Sequence, residues 1–367
     1  MNRISQISGE AWKNDPIYAP FYHATGFIMA AASDVLFEEV VVPFAKDHTS
    51  EVKMLESQKD WQAIAPNVFT GQFPGWRGAW RQRNAGWVFA RGALLAVHQE
   101  ASRFGVKFLT GSPEGDVESL LFNDTKSEVL GARTADGKEH SASLTILAAG
   151  AGCDALIDFK KQLRPTAWTL AHIPLEVAEA IHYKGIPVPY NVERGFFIEP
   201  NEITRELKIC DEHPGYCNFI RDADTGEILS SKPFARNQIP LESESRIRQL
   251  LRDTMPQLAD RQFSFARICW DADTVDRIFL IDHHPEYASL VLACGGSGHG
   301  VNPMPAIGQL VADLLEQKME PKLKAMSRWR PEQAEQRNWE DSQGRHGANE
   351  TVMDFKNVKG WTRIHES

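Results

Sequence analysis

The chain has 367 residues, 42% hydrophobic and 24% charged, with a formal net charge of −9. That composition suits a globular protein with a real core, and a negative balance without basic runs excludes nucleic acid or an anionic membrane as the main partner. Five irregularly spaced cysteines argue against a secreted disulfide framework, and no apolar run approaches the ~20 residues that span a bilayer.

The opening "MNRISQISGEAWKNDP" lacks the apolar core of a secretory signal, and the ending "HES" is not a peroxisomal address. A soluble protein of a reducing, cytoplasmic compartment is expected. The first eighty residues show no clean periodicity, and "FPGWRGAW" (73–80) reads as a loop. Val88, Arg91, Leu94, Leu95, His98 and Ala101 recur at helical spacing, with Gly105 placed to end that helix. "VKFLTG" (106–111) then reads as a strand. Two β-like runs follow, with Asp136-Gly137 as a hairpin turn, and the second ends in "LTILAAGAG", a buried strand stopping at small residues.

From Ala167 to Asp211 the pattern is strand-like, in "AWTLAHIPL", "GFFIEP" and "ELKICDE". "LESESRIRQLLRDTMPQL" predicts a helix that Ser243 or Ser245 could cap. "FSFARICW", "IFLIDHHP" and "LVLACGG" are further strands, and the tail from Trp329 reads as loops and short helices. The order is mixed α/β with an antiparallel middle, which predicts two interleaved domains.

"CGGSGHGVNPMPAIG" (294–308) carries four glycines in six residues, just after a strand and just before an apolar segment that can be a helix. Such a turn presents bare backbone N–H groups to an oxyanion or an electron-rich carbonyl. It is not G-x-G-x-x-G, so it is not by itself a dinucleotide fingerprint. Other constellations are weaker. Cys210, His213 and Cys217 lack a second ligand pair, so no metal is expected. Asp282-His283-His284 reads as a turn, and Ser297 does not sit in a G-x-S-x-G elbow.

"RPTAWTL", "NVERGFFIEP", "KICDEHPGY", "TMPQLADRQFSFARICW", "FLIDHHPEY" and "CGGSGHG" together resemble the fungal fructosyl amino acid oxidases (amadoriases), of the monomeric sarcosine oxidase group of FAD-dependent oxidoreductases. The resemblance implies an α/β fold with a Rossmann-like FAD domain interleaved with a substrate domain built on a mixed, largely antiparallel sheet. Residues 83–165 and 278–327 would form the first, 1–82 and 166–277 the second, and 328–367 a tail. It implies FAD attached through Cys269, with Gly150 along the cofactor. Gly296, Ser297, Gly298, His299 and Gly300 would face the flavin's pyrimidine edge. Lys208 would lie near flavin N5 and assist reaction with O₂, Glu212 would lie beside the substrate, and Arg345 would bind the substrate carboxylate. The reaction implied is oxidation of a fructosyl amino acid by hydride transfer to N5, imine hydrolysis and H₂O₂ release, by a monomer acting on a small molecule. A saccharopine, pipecolate or sarcosine oxidase is the runner-up, and a flavin-free pseudoenzyme is the reading from a different class.

Two departures stand out against that resemblance. The family begins with a strand, a G-x-G-x-x-G turn and a helix, whereas Met1-Asn2-Arg3-Ile4 here matches a point after that unit. The sheet is therefore expected to show exposed edges. Where the family has a lysine shortly after the glycine turn, this chain has Asn302, an amide that can bind a carboxylate without adding charge.

Overall fold

The structure, a computed structural model, describes residues 2–47, 52–335 and 352–364. Its largest sheet has nine strands, in the order Phe265–Thr274, Leu163–Pro174, Glu206–Cys217, Gly195–Ile198, Val188–Asn191, Phe27–Ala31, Arg77–Arg81 and Val52–Leu55, with Met353–Asp354 beside Glu206–Cys217. Pairing is antiparallel except where Val188–Asn191 meets Phe27–Ala31 and Met353–Asp354 meets Glu206–Cys217. Leu163–Pro174 is buried along almost its whole length, flanked on either side by Phe265–Thr274 and Glu206–Cys217.

One face packs on the helix Leu241–Thr254. Ile28, Ala171, Ile173, Phe197, Leu207 and Ile209 share a core with Ile247, Leu250 and Leu251 of that helix and with Trp61. The helical residues recur at three- and four-residue spacing, which gives one apolar stripe. No serine caps the helix: Pro240 is its N-cap, and Ser243 is buried inside, 2.5 Å from the Thr169 hydroxyl on the sheet. Proline's fixed φ starts the helix without a side-chain acceptor, and Ser243 joins helix to sheet instead.

A second sheet has the order Leu280–His283, Leu290–Cys294, Thr145–Leu147, the last two parallel. The helix Met304–Leu315 lays Leu310 and Leu314 on Ile281 and Val291, and Ile4 of the helix Asn2–Asn14 joins them. A third sheet pairs Val117–Phe122, Val129–Thr134 and Glu139–Ser141.

The helix expected around 88–101 runs from Ala90 to Arg103, and Gly105 closes it at φ +87°, its N–H bonded to the Ser102 carbonyl. The Asp136-Gly137 hairpin forms between Val129–Thr134 and Glu139–Ser141. Residues 106–111 are not a strand. No described strand lies beside them to pair with, and Val106, Phe108 and Leu109 are exposed. The strand expected in "LTILAAG" is only Thr145–Leu147, and it is not buried: Ile146 is 44% exposed on a sheet edge. The first eighty residues contain the helices Asn2–Asn14 and Gln58–Ile64, and "FPGWRGAW" turns only up to Trp76 before the strand Arg77–Arg81. The helix Val177–His182 and strand Val188–Asn191 went unread because each is too short to show a period.

Candidate active site

Strand register gathers the site. Cys269 lies opposite Trp168, Lys208 opposite His172 and Ile198, and Cys210 opposite Leu170 and Phe196. Residues directly opposite in antiparallel strands project to one side of the sheet. Cys269, Trp168, Leu170, His172, Lys208 and Cys210 therefore share the face turned away from the Leu241–Thr254 helix. Glu212, two residues beyond Cys210, joins that face by alternation. Its Oε2 accepts a hydrogen bond of 3.3 Å from the Tyr190 hydroxyl, and Tyr190 stands opposite Phe196 on the same face.

Glu212 is only 4% exposed, whereas Lys208 and Cys269 are half-buried. The Cys269 sulfur lies 3.9 Å from an Arg267 guanidinium nitrogen. His172, opposite Lys208, is held below the usual histidine range chiefly by burial, with the lysine charge adding to the effect. Along the strands Lys208 and Cys269 are offset by four residues, about 13 Å at strand rise. The face is anchored from behind. Asp211, buried, accepts from Arg246 Nε at 2.9 Å, and the same guanidinium donates to the Tyr216 hydroxyl at 2.7 Å.

The glycine turn is pinned at Ser297 and exposed from Gly298 to Gly300. Ser297 is fully buried, at φ +46°. Its hydroxyl accepts from the Thr274 N–H at 3.0 Å, its N–H donates to the Ala272 carbonyl, and its carbonyl accepts from Arg277. Ser297, side chain and backbone alike, is thus committed to the protein, and the expectation that it faces a ligand does not fit its burial. Gly298, His299 and Gly300 are exposed, and the next helix starts four residues further on, at Met304. A Cβ on Gly296 would meet only Gly300 atoms, the nearest at 3.5 Å, and one on Gly300 only the Gly296 Cα, at 3.9 Å. Around Gly150, at φ +55°, a Cβ would meet nothing within 4 Å. Both glycine segments therefore front open ground that a flat cofactor could occupy.

Asn302 is exposed, and its carbonyl accepts from Trp12 Nε1 at 2.7 Å. Arg345 lies outside the described residues. Cys217 is buried, its thiol pushed up to about 11 by burial; the His213 side chain lies outside the described set. Among the described residues no cluster of three or more His, Cys, Asp or Glu is arranged to hold a metal. No described helix is long and apolar enough to cross a membrane. Sequence reading missed Tyr190 and Trp168, whose places on this face rest on cross-strand register that local pattern does not carry.

The profile of the FAD dependent oxidoreductase family matches residues 8–314. The chain belongs to that family. This FAD-dependent oxidoreductase is also similar to two solved amadoriases of Aspergillus fumigatus. The deglycating fructosamine oxidase amadoriase II is 49% identical at a TM-score of 0.93, over 99% of this chain and 84% of that one. Amadoriase I (fructosyl amine: oxygen oxidoreductase) is 50% identical at 0.92, over 100% and 83%. L-saccharopine oxidase of Schizosaccharomyces pombe is 25% identical over 337 residues, 88% of this chain and 78% of that protein. The bare glycine segments and the half-buried thiol on an open face fit the flavin portion of FAD. "LAAGAG" would carry the backbone of the cofactor.

Proposed function

We propose that this chain is an oxidase of N-substituted amino acids, with fructosyl amino acids as its substrate class. The observation that carries the reading is the match to amadoriase II, 49% identity at a TM-score of 0.93 across 99% of the chain. Residues 83–165 and 278–327 would hold FAD, residues 1–82 and 166–277 the substrate, and 328–367 would form a tail. Cys269 would bind the cofactor through its sulfur, and Gly150, Gly296, Gly298, His299 and Gly300 would approach it through backbone, with Ser297 fixing the turn from behind.

When bound, FAD supplies a two-electron acceptor for the C–H bond beside the substrate's secondary amine, and O₂ takes those electrons on to H₂O₂. Glu212 is buried, with Tyr190 donating to one oxygen. The carboxylate would orient the substrate amine and take its ammonium proton before oxidation. Lys208 places a cation on the same face, where it stabilises negative charge developing on oxygen. Arg345 and Asn302 would receive the substrate carboxylate, the first by a two-pronged contact. The imine released hydrolyses in water to the free amino acid. The same reading takes the protein as a cytoplasmic monomer.

Two measurements test the proposal. Protein expressed with ample riboflavin should give an acid-precipitated pellet that stays yellow, and a colourless pellet removes the covalent bond. Fructosyl-valine or fructosyl-lysine should release peroxide. Release only with saccharopine would favour the reading that the Schizosaccharomyces relative suggests, and no release with any secondary amine ends the oxidase reading.

A further inference from the structure

Glu206, His172 and Ser264 form a cluster beside Lys208 for which the reaction above has no use. Glu206 and Lys208 lie two residues apart on the strand Glu206–Cys217, so both project to the site face, about 7 Å apart along the strand. A carboxylate and an ammonium on long side chains can meet across that spacing, and the pair would cancel much of the lysine's charge. They do not meet here. Among the described residues no carboxylate is paired with Lys208.

The carboxylate is occupied instead. His172, directly opposite Lys208, places Nδ1 3.0 Å from Glu206 Oε2, and the Ser264 hydroxyl donates to Oε1 at 2.6 Å. Ser264 also donates its N–H to the His172 carbonyl at 3.0 Å, which fastens the cluster from the neighbouring strand's start. Burial acts to raise Glu206, but the bonds from Ser264 and His172 outweigh it and hold the carboxyl below its ordinary range. An ionised carboxylate only accepts, so Nδ1 of His172 is the donor. Phe265, opposite His172 on its other side, packs against the ring with centroids 5.3 Å apart. The other charges acting on that ring, Lys208 and Arg267, are cations.

We propose that His172 is a positioning residue: by holding Glu206 it keeps the Lys208 ammonium unpaired, with its charge available to the open face. Its use rests on the oxidase reading above, in which Lys208 assists the reaction with O₂. A lysine neutralised by its strand neighbour would stabilise negative charge developing on oxygen far less. His172 acts through Glu206 and Lys208, and needs no contact with substrate or cofactor.

The test reads the lysine itself. The full chain is treated with limiting acetic anhydride, and acetylation at Lys208 is followed by peptide mass spectrometry against the chain's other lysines. In His172→Phe the released carboxylate should pair with Lys208 and slow its labelling about 2–5-fold. His172→Asn, whose amide can still donate to Glu206, should keep the parent rate. Adding Glu206→Gln to His172→Phe should restore that rate, which mere damage to the fold would not allow. Should His172→Phe fold poorly, Ser264→Ala frees the other oxygen and should slow labelling in the same direction. In flavin-loaded enzyme, return of the yellow colour in air should slow in His172→Phe, while bleaching by substrate under nitrogen keeps its rate. The labelling needs neither flavin nor substrate, so its outcome is independent of the oxidase reading. Equal labelling of Lys208 in the parent and His172→Phe, or a double variant as slow as His172→Phe, overturns the proposal. Slowed labelling with an unchanged return of colour overturns its link to oxygen.

Discussion

At Gly295 and Gly296 two adjacent glycines do different work. Gly295 sits at φ +78°, and a Cβ there would lie 2.5 Å from Thr274 Cγ2. Gly295→Ala should therefore destabilise the fold by about 1–3 kcal/mol in denaturant titration. The Gly296 Cβ would make only ordinary contacts, so Gly296→Ala should keep the parent's unfolding midpoint while lowering bound flavin per chain. Cys269→Ser tests the anchor: its acid pellet should be colourless even if the native protein is yellow. Lys208→Met should slow peroxide formation by roughly 10²–10³-fold, while substrate still bleaches the yellow colour under nitrogen; equal loss in both assays would deny the lysine its oxygen-side role. The glycine turn was legible because four glycines in six residues have few other uses. The inward direction of Ser297 was not, since it depends on strand Phe265–Thr274, more than twenty residues earlier in the chain.

At the scale of elements, the helix Leu241–Thr254 and the central strands hold the site face from behind. Ser243→Ala leaves the Thr169 hydroxyl buried without the partner it has there, and should cost about 1–2 kcal/mol. A lost cap would cost a similar amount, so the discriminating variant is Ser245→Ala, which should change the urea midpoint little. Arg330 is the other fastening. It is 2% exposed, bonds Asp276 through two nitrogens at 2.7 and 2.9 Å, and donates to the carbonyls of Arg328 and Ile278. Arg330→Met strands those acceptors and should destabilise by about 3 kcal/mol. Long strands and amphipathic helices were readable from periodicity, as in Leu163–Pro174 and Ala90–Arg103. Residues 106–111 show the limit of that method: apolar and β-branched side chains favour a strand, but a strand exists only where a neighbour supplies hydrogen bonds.

At the scale of the whole molecule, one acid links stability to pH. Asp154 is raised to about 7, first by burial and then by the Asp158 carboxylate, and Ser230 donates a hydrogen bond to it. In an unfolded chain it titrates near the ordinary value of 3.8. Between those values the folded chain holds a proton that the unfolded chain lacks, so stability from this group is full at acid pH and is lost as pH rises through 7. The slope is at most ~1.4 kcal/mol per pH unit, and solvent reaching Asp154 reduces it. Asp154→Asn should flatten the dependence of the urea midpoint on pH over that interval and stabilise the protein above it; an unchanged slope would clear Asp154 of the effect. Among the described residues Thr145–Leu147 is an edge of its sheet, and Leu94, Leu95, Phe104, Phe108 and Ile146 leave apolar surface on the outside.

The bond between the Trp12 indole and the Asn302 carbonyl has an optical use. It sets a fluorophore from the helix Asn2–Asn14 within two residues of the glycine turn's end, packed edge-on to Tyr18 at 5.3 Å. A yellow chromophore arriving at that turn would absorb in the band where indole emits. Dimming of Trp12 light, compared between the parent chain and Trp12→Phe, would report cofactor arrival in real time without any substrate.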